Sequence, residues 1–208
     1  LLVYAAHLEG RLVASERSDA LQIGVGKAQA ASGMTRALLE RPRPRYVLLF
    51  GVCGAYPSRD MELQLGQICF VTSDALIDEG VETDGGFVSL KQLGLAEVGP
   101  FTADMRLTRE ACGRFESASL VHGATVSTCS GTLDLACTRA SRVGAQIETM
   151  EGAAVAMVCA AFDVPFVQLR AVSNRVGTRD SRHWDLEGAS MRAQQAVLEL
   201  LATGWGDG

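Results

Sequence analysis

The sequence predicts an α/β fold: a three-layer αβα sandwich around a central mixed, mostly parallel sheet. Three observations lead there. Apolar runs of strand length alternate with helical patterns along the chain, the signature of a sheet covered by helices. The chain has 208 residues, enough to bury a substantial core. Hydrophobic residues make up 48% of it but aromatics only 6%, so the core must be built from Ala, Val, Leu and Ile. No internal repeat and no low-complexity linker interrupts the pattern, and one domain is expected across all 208 residues.

The elements follow in order. Leu1 to Ala6 reads as a buried first strand, without a basic leader segment or a cleavage site. Leu21 to Val25 is a second strand. Lys27 to Glu40 has helical spacing and ends at ArgProArgPro, residues 41–44, which breaks it. Tyr46 to Phe50 is a strongly apolar strand running into a Gly-rich turn, GVCGAY. Gln67 to Thr72 is a strand. Residues 78–103 are Gly-rich and weakly periodic, a long loop with a short hairpin around Asp84, Gly85 and Gly86. Thr108 to Phe115 is helical, Val121 to Ser127 a strand, and Leu133 to Arg142 a helix begun near Thr132. Gln146 to Glu148 is a short strand. Glu151 to Phe162 is an Ala-rich helix, Phe166 to Val172 a buried strand, and Leu186 to Leu201 a closing helix.

Composition excludes some functions. Net charge is -5 and no block of Lys or Arg stands out, which argues against nucleic-acid or anionic-membrane partners. The longest apolar runs, from Tyr46 and from Gly152, are too short to span a bilayer. Six cysteines and three histidines show no zinc-site spacing. Most of the cysteines lie among small apolar residues, which suggests buried reduced thiols and a cytoplasmic location.

Three familiar motifs fail. GVGK, residues 24–27, lacks the first P-loop glycine, since Leu21 stands there, and Ala28 follows the lysine where Ser or Thr is needed. The dinucleotide pattern GxGxxG fails at Gln29. GxSxG is absent, so a nucleophile elbow is not expected. GVGK is better read as a strand-to-helix turn.

One constellation survives: Met150, Glu151, Arg170, Ser173 and Asn174. Glu151 opens the Ala-rich helix, at the positive end of its dipole, where a carboxylate should stay ionised. Such a group can accept two hydrogen bonds at once, which suits a vicinal diol. Arg170 and Asn174 end the strand that follows, and ligands of α/β sheets gather at the carboxyl ends of strands. The spacing equally allows a solvated first-turn acid, an ion pair closing a strand end and a turn asparagine.

MEGAAVAMVC followed by VPFVQLRAVSN resembles the nucleoside phosphorylase and nucleosidase superfamily. ETMEGAAVA with RAVSNRVGTRD is similar to the futalosine hydrolases in particular, and GVGKAQAA, FGVCGAY and VSTCSGT agree. The resemblance covers most of Leu21 to Asp180. It implies a nucleoside phosphorylase-like fold and N-ribosyl hydrolysis with no metal or organic cofactor. It also implies that Glu151 holds the ribose hydroxyls and Met150 packs on the sugar. Arg170 helps place the attacking water, and Ser173 and Asn174 meet the purine. An N-terminal acid orients that water, and Glu9 is the acid nearest the first strand. Further substrate contacts are expected at Gly54, Ser130, Gly131 and Thr132. Phe87 and Phe101, in the long loop, could cover the 5′ end of the substrate; ordinary packing is the alternative. A homo-oligomer is expected from the same resemblance.

Asn174 carries information about the base. The methylthioadenosine branch of the superfamily has Asp at this place, which can donate to N7 of a 6-aminopurine and accept from its amine. An amide offers one donor and one acceptor in a fork, which matches O6 and a protonated N7 of a 6-oxopurine. This favours hypoxanthine, the base of futalosine. Superfamily phosphorylases carry an N-terminal phosphate loop and a serine in the Gly-rich turn; here the chain reads AAHLEG and Val52, so water is the expected acceptor. The rivals are a methylthioadenosine/S-adenosylhomocysteine nucleosidase, a purine nucleoside phosphorylase and a non-catalytic nucleoside-binding protein. Arg175, Arg179 and Arg182 could meet a carboxylated 5′ substituent, or pair locally with Asp180 and Asp185.

Overall fold

A computed structural model describes residues 1–58, 61–178 and 180–206. Among the described residues are ten strands and six α-helices, with helices interspersed between strands as expected for α/β. The strands are β1 (Leu2–Tyr4), β2 (Ala20–Gln22), β3 (Val47–Ala55), β4 (Ile68–Leu76), β5 (Gly80–Thr83), β6 (Gly86–Ser89), β7 (Phe101–Thr102), β8 (Ser119–Thr125), β9 (Ile147–Thr149) and β10 (Phe166–Arg175). The helices are α1 (His7–Glu16), α2 (Lys27–Glu40), α3 (Met105–Cys112), α4 (Leu133–Val143), α5 (Gly152–Ala161) and α6 (Leu186–Ala202).

The central sheet is mixed and mostly parallel. Pairs β1–β2, β1–β3, β3–β10, β4–β8 and β8–β9 are parallel; β4–β10, β3–β9 and β4–β7 are antiparallel. β3 pairs with β10 as well as with β9, so the path β10-β4-β8-β9-β3 closes on itself and β1 and β2 extend from it. Helices cover both faces. Val13, Leu107, Ala193, Val197 and Leu200 of α1, α3 and α6 pack on Leu48, Phe50 and Leu169. Ala30, Met34, Val155 and Cys159 of α2 and α5 pack on Val3, Val47 and Leu49. Among the described residues no helix is long and apolar enough to cross a membrane.

Three features differ from the sequence reading. Helix α1 is not foreseen by it, because the mixed composition carries little amphipathic signal and Ala6 offers no capping side chain. Its first turn is closed instead by Glu9, which accepts a hydrogen bond from the Ala6 backbone N–H at 3.0 Å. The segment GVCGA is no turn: it is the carboxyl half of β3. Its glycines serve close approach rather than chain reversal, as described below. The third difference lies in β10, which runs on to Arg175, so Arg170 stands in mid-strand rather than at its end. The hairpin expected around residues 84–86 is β5–β6. Of the six free thiols, Cys53, Cys69 and Cys159 are buried, but Cys129 and Cys137 are exposed, on the loop after β8 and on α4.

A buried polar cluster ties α5 to the sheet. Asp74 of β4 is 1% exposed; its Oδ1 accepts from Thr125 Oγ1 at 2.9 Å and its Oδ2 from Gln168 Nε2 at 3.3 Å. Thr125 Oγ1 also accepts from the Ala153 N–H at 2.8 Å, and Thr149 Oγ1 from the Gly152 N–H at 3.3 Å. The first amides of α5 are therefore satisfied by two strand threonines. Burial pushes the Asp74 carboxyl up to about 6. Gln168 Oε1 has no hydrogen-bond partner, and a protonated Asp74 can donate to it once the amide turns over.

Stability should depend on pH through this group. The folded protein keeps the Asp74 proton to about pH 6, whereas the unfolded chain releases it near 3.8. Stability is therefore lost as pH rises through that window, by at most about 3 kcal/mol. Asp74→Asn, a neutral mimic of the protonated acid, is expected to melt higher than the parent at pH 8 and alike near pH 4. Melting curves at the two pH values check this; a difference independent of pH would show that Asp74 is ionised throughout.

Candidate active site

The carboxyl-terminal halves of β3 and β10 and the antiparallel β9 meet the start of α5 and the β1–α1 connection around a cavity of about 330 Å³. Its walls include Glu9, Val52, Cys53, Gly54, Ser130, Glu148, Met150, Glu151, Ser173 and Asn174. The position obeys the general rule for α/β sheets, because loops there surround the strand ends without blocking backbone hydrogen bonds.

Glu151 occupies the N-cap of α5, yet its side chain makes no cap hydrogen bond. Thr125 and Thr149 take over that task, and the carboxylate turns into the cavity. It is 5% exposed and accepts from the Gly26 backbone N–H at 2.9 Å. The GVGK turn thus presents an amide to a carboxylate. Lys27, the lysine of that motif, is held by Asp78 and Glu79, both at 2.6 Å. Burial raises the Glu151 pKa above 4.5; Arg170 and the Gly26 amide oppose the rise. Dipole reasoning from the sequence points to an unperturbed anion; desolvation outweighs it here.

Glu9 reaches the same space from α1. Its Oε1 accepts from the Val52 N–H at 2.8 Å while Oε2 holds Ala6. This bond explains Gly51. A Cβ there would lie 2.3 Å from Glu9 Oε1 and 2.9 Å from Arg170 Nη1, so only glycine admits both side chains. Val52 stands beside it with its amide donated to Glu9.

Arg170 is 1% exposed and lies behind the cavity wall rather than on it. Its Nη1 donates to the Val52 carbonyl at 3.3 Å, and its Nη2 is 3.7 Å from Glu151 Oε2. Its Nε and Nη2 have no hydrogen-bond partner. The guanidinium is a buried positive charge set against Glu9 and Glu151.

Asn174 and Ser173 sit where the β3–β10 register shifts, between Val172 and Asn174. Such irregularities re-aim side chains near functional sites. Ser173 Oγ is 2.8 Å from Asn174 Oδ1, and Asn174 Nδ2 donates to the Arg175 carbonyl at 3.2 Å. The amide is fixed, with a second acceptor lone pair and a second N–H still available. Met150 lines the cavity beside Cys129, whose Sγ is 3.7 Å from its Sδ.

Other expected contacts fall elsewhere. Gly54 and Ser130 line the cavity; Gly131 and Thr132 do not. Thr132 caps α4, accepting from the Leu135 N–H at 3.3 Å. Phe87 lines a separate groove with Leu76 and Pro100, and the Arg142 guanidinium stacks 3.8 Å from its ring centre. That contact pins the β5–β6 hairpin to α4, away from the cavity. Phe101 packs against both the α2–α5 core and the cluster of Leu76 and Ala153. Arg182 pairs locally with Asp180 at 2.7 Å, whereas Arg175 pairs at 3.1 Å with Glu62, far from it in the chain, rather than with Asp180 or Asp185. Arg179 lies outside the described residues. The sequence reading missed Glu148, Trp184 and Leu186 as cavity residues. Glu148 had only a weak signal: an acid in a short strand, Ile147–Thr149, just before the Met-Glu pair.

Comparison with known proteins shows the family. The model of the Phosphorylase superfamily matches residues 10–202. The futalosine hydrolase of Thermus thermophilus is 35% identical over 185 residues, covering 88% of this chain and 80% of that protein. The chain belongs to the futalosine hydrolase family. The Acidothermus cellulolyticus futalosine hydrolase is 36% identical over 198 residues, covering 92% of this chain and 78% of that protein. Among solved structures, a futalosine hydrolase mutant of Helicobacter pylori superposes with a TM-score of 0.82 at 16% identity, covering 97% of both chains. A Colwellia psychrerythraea methylthioadenosine/S-adenosylhomocysteine nucleosidase in complex with adenine gives 0.81 at 21% identity, covering 97% of this chain and 93% of that one. These two likenesses concern the fold shared by this family and its relatives.

Proposed function

We propose that this futalosine hydrolase family member cleaves the N-glycosidic bond of futalosine with water, releasing hypoxanthine and dehypoxanthine futalosine, in menaquinone biosynthesis. The observation that carries the reading is one cavity with two buried carboxylates, Glu9 and Glu151, at one side and the fixed amide of Asn174 at another. That is what separation of a purine from a ribosyl cation demands: negative charge beside the sugar and a hydrogen-bonding fork beside the base.

In this reading solvent protonates N7, and Asn174 accepts from the protonated N7 and donates to O6. The C1′–N9 bond breaks with its electron pair going to the base. Glu151 accepts from the ribose hydroxyls and, with Glu9, stabilises the positive charge at C1′. Glu9 orients a water whose oxygen bonds to C1′ and takes up its proton, which then passes to solvent. Met150 packs on the sugar. Arg170 acts through Glu151, as a counter-charge that favours its ionised form, rather than by touching the water. Its seclusion behind the wall supports that role. The enzyme would work in the reducing cytoplasm as a homo-oligomer that completes the 5′ end of the pocket.

The test is direct. Futalosine, methylthioadenosine and inosine are incubated with the protein, with and without phosphate, and free base is followed by chromatography. Hypoxanthine from futalosine without phosphate is the expected result. Adenine as the main product, or an absolute need for phosphate, would refute the reading.

A further inference from the structure

Glu148, Gly54 and Asn174 stand in one row across three strands. Glu148 of β9 pairs with Gly54 of β3, and Gly54 pairs with Asn174 of β10. Residues in register on neighbouring strands send their side chains to the same face. Gly54 has no side chain, so a Val176 methyl and the Asn174 amide can pack directly over it, and all three residues of the row line the cavity. Two strand spacings, about 10 Å, separate the outer backbones. That is wide enough for the edge of a purine between two side chains. The Asn174 amide leans over Gly54: a Cβ there would lie 3.2 Å from its Nδ2.

Glu148 faces it from the other side, 6% exposed and firmly held. Its Oε1 accepts from the Ser130 backbone N–H at 2.9 Å. Its Oε2 accepts from Ser130 Oγ at 2.5 Å and from Tyr56 Oη at 2.7 Å. Burial and the adjacent Glu148 push the Tyr56 phenol well up, so it stays a donor. Arg139 Nη1, 3.1 Å from Ser130 Oγ, adds positive charge behind the cluster. A carboxylate has about four acceptor positions, and three donors fill three of them. One is left, on a residue of the cavity wall.

We infer that Glu148 is a specificity-determining residue for the base: across Gly54 from Asn174, it accepts the N1–H of a 6-oxopurine whose O6 and N7 face the amide. The inference rests on the function proposed above and names its second base contact. A 6-aminopurine carries a lone pair at N1, which would oppose the carboxylate. Ser130 and Tyr56 are then positioning residues that aim Glu148.

Glu148→Gln tests it. Its amide can present either an N–H or a carbonyl to N1, so discrimination should relax. Base release is measured for futalosine and for its counterpart carrying adenine, and the ratio of kcat/KM is expected to fall about 10- to 100-fold. If both substrates fall together with the ratio unchanged, Glu148 only supports Ser130 and the inference is overturned. A second measurement uses the parent protein, so it does not depend on the variant folding. Calorimetric Kd values for hypoxanthine and 1-methylhypoxanthine should differ at least tenfold, because the methyl group removes N1–H; equal binding overturns the inference. A parent protein that releases no hypoxanthine from futalosine would instead refute the function on which it rests.

Discussion

Glu151→Gln is expected to lower kcat/KM for base release by about 10²- to 10³-fold while the protein stays folded. The carboxylate sits 5% exposed in the cavity wall with the Gly26 N–H on Oε1 and Arg170 behind Oε2. A glutamine carbonyl can still accept from Gly26, so local geometry survives. What disappears is negative charge beside a sugar that becomes positive. In a water-poor site that charge acts with little screening. Burial also sets the parent's pH behaviour. The Glu151 pKa is raised, so the parent should lose activity on the acid side at a pH above 4.5, as the carboxylate takes up its proton. Base-release assays across pH, with a melting curve for the variant, check both points. A fully active variant would remove Glu151 from the chemistry.

Arg170→Ala is expected to cost both stability and activity. The guanidinium is 1% exposed, donates to the Val52 carbonyl and sits 3.7 Å from Glu151. Removing one member of a buried charge cluster leaves the others uncompensated, at about 3 to 5 kcal/mol. For a chain of this length that is a fall of about 6 to 20 °C in Tm. The ion pair is long and Nη2 lacks a hydrogen bond, which favours the lower end of the range. Among the influences that hold the Glu151 pKa down, Arg170 is the largest. Its loss must raise that pKa further and move the acid limb of activity to higher pH. Arg170→Lys should retain part of the effect, keeping the charge but not the planar fork. An alanine variant that melts like the parent, with its acid limb unmoved, would show that Arg170 supports neither the carboxylates nor the fold.

The residues of MEGAAVAMVC and RAVSN become site candidates only through the family resemblance, since their spacing equally allows a helix cap and a turn, and their grouping in space is not legible from the chain. Glu151 and Asn174 are 23 positions apart in the chain. A helix start and a strand end need not share an edge of a sheet. They do so here because β9 and β10 both flank β3 and all three open onto one cavity. The same limit misplaces Phe87 in the sequence reading: a hairpin in a long loop can fold toward any neighbour, and its contact with Arg142 decides the matter. Glu9 is a candidate only through the resemblance, and its helix is not legible either, since α1 has neither strong amphipathy nor a capping side chain.

What the sequence determined by itself was local and chemical. Alternating apolar runs set the α/β class, and helix bounds such as Lys27–Glu40 followed from spacing and breakers; the amide of Asn174 suggested a base edge it could match. What tertiary structure decided was everything that depends on distance and solvent. It set the ionisation of Glu151 and Asp74, because desolvation is a property of the packed interior. It made Gly51 and Gly54 sites of close approach inside a strand rather than parts of a turn. It also placed Glu148 opposite Asn174, since register across β9, β3 and β10 cannot be read from any one strand.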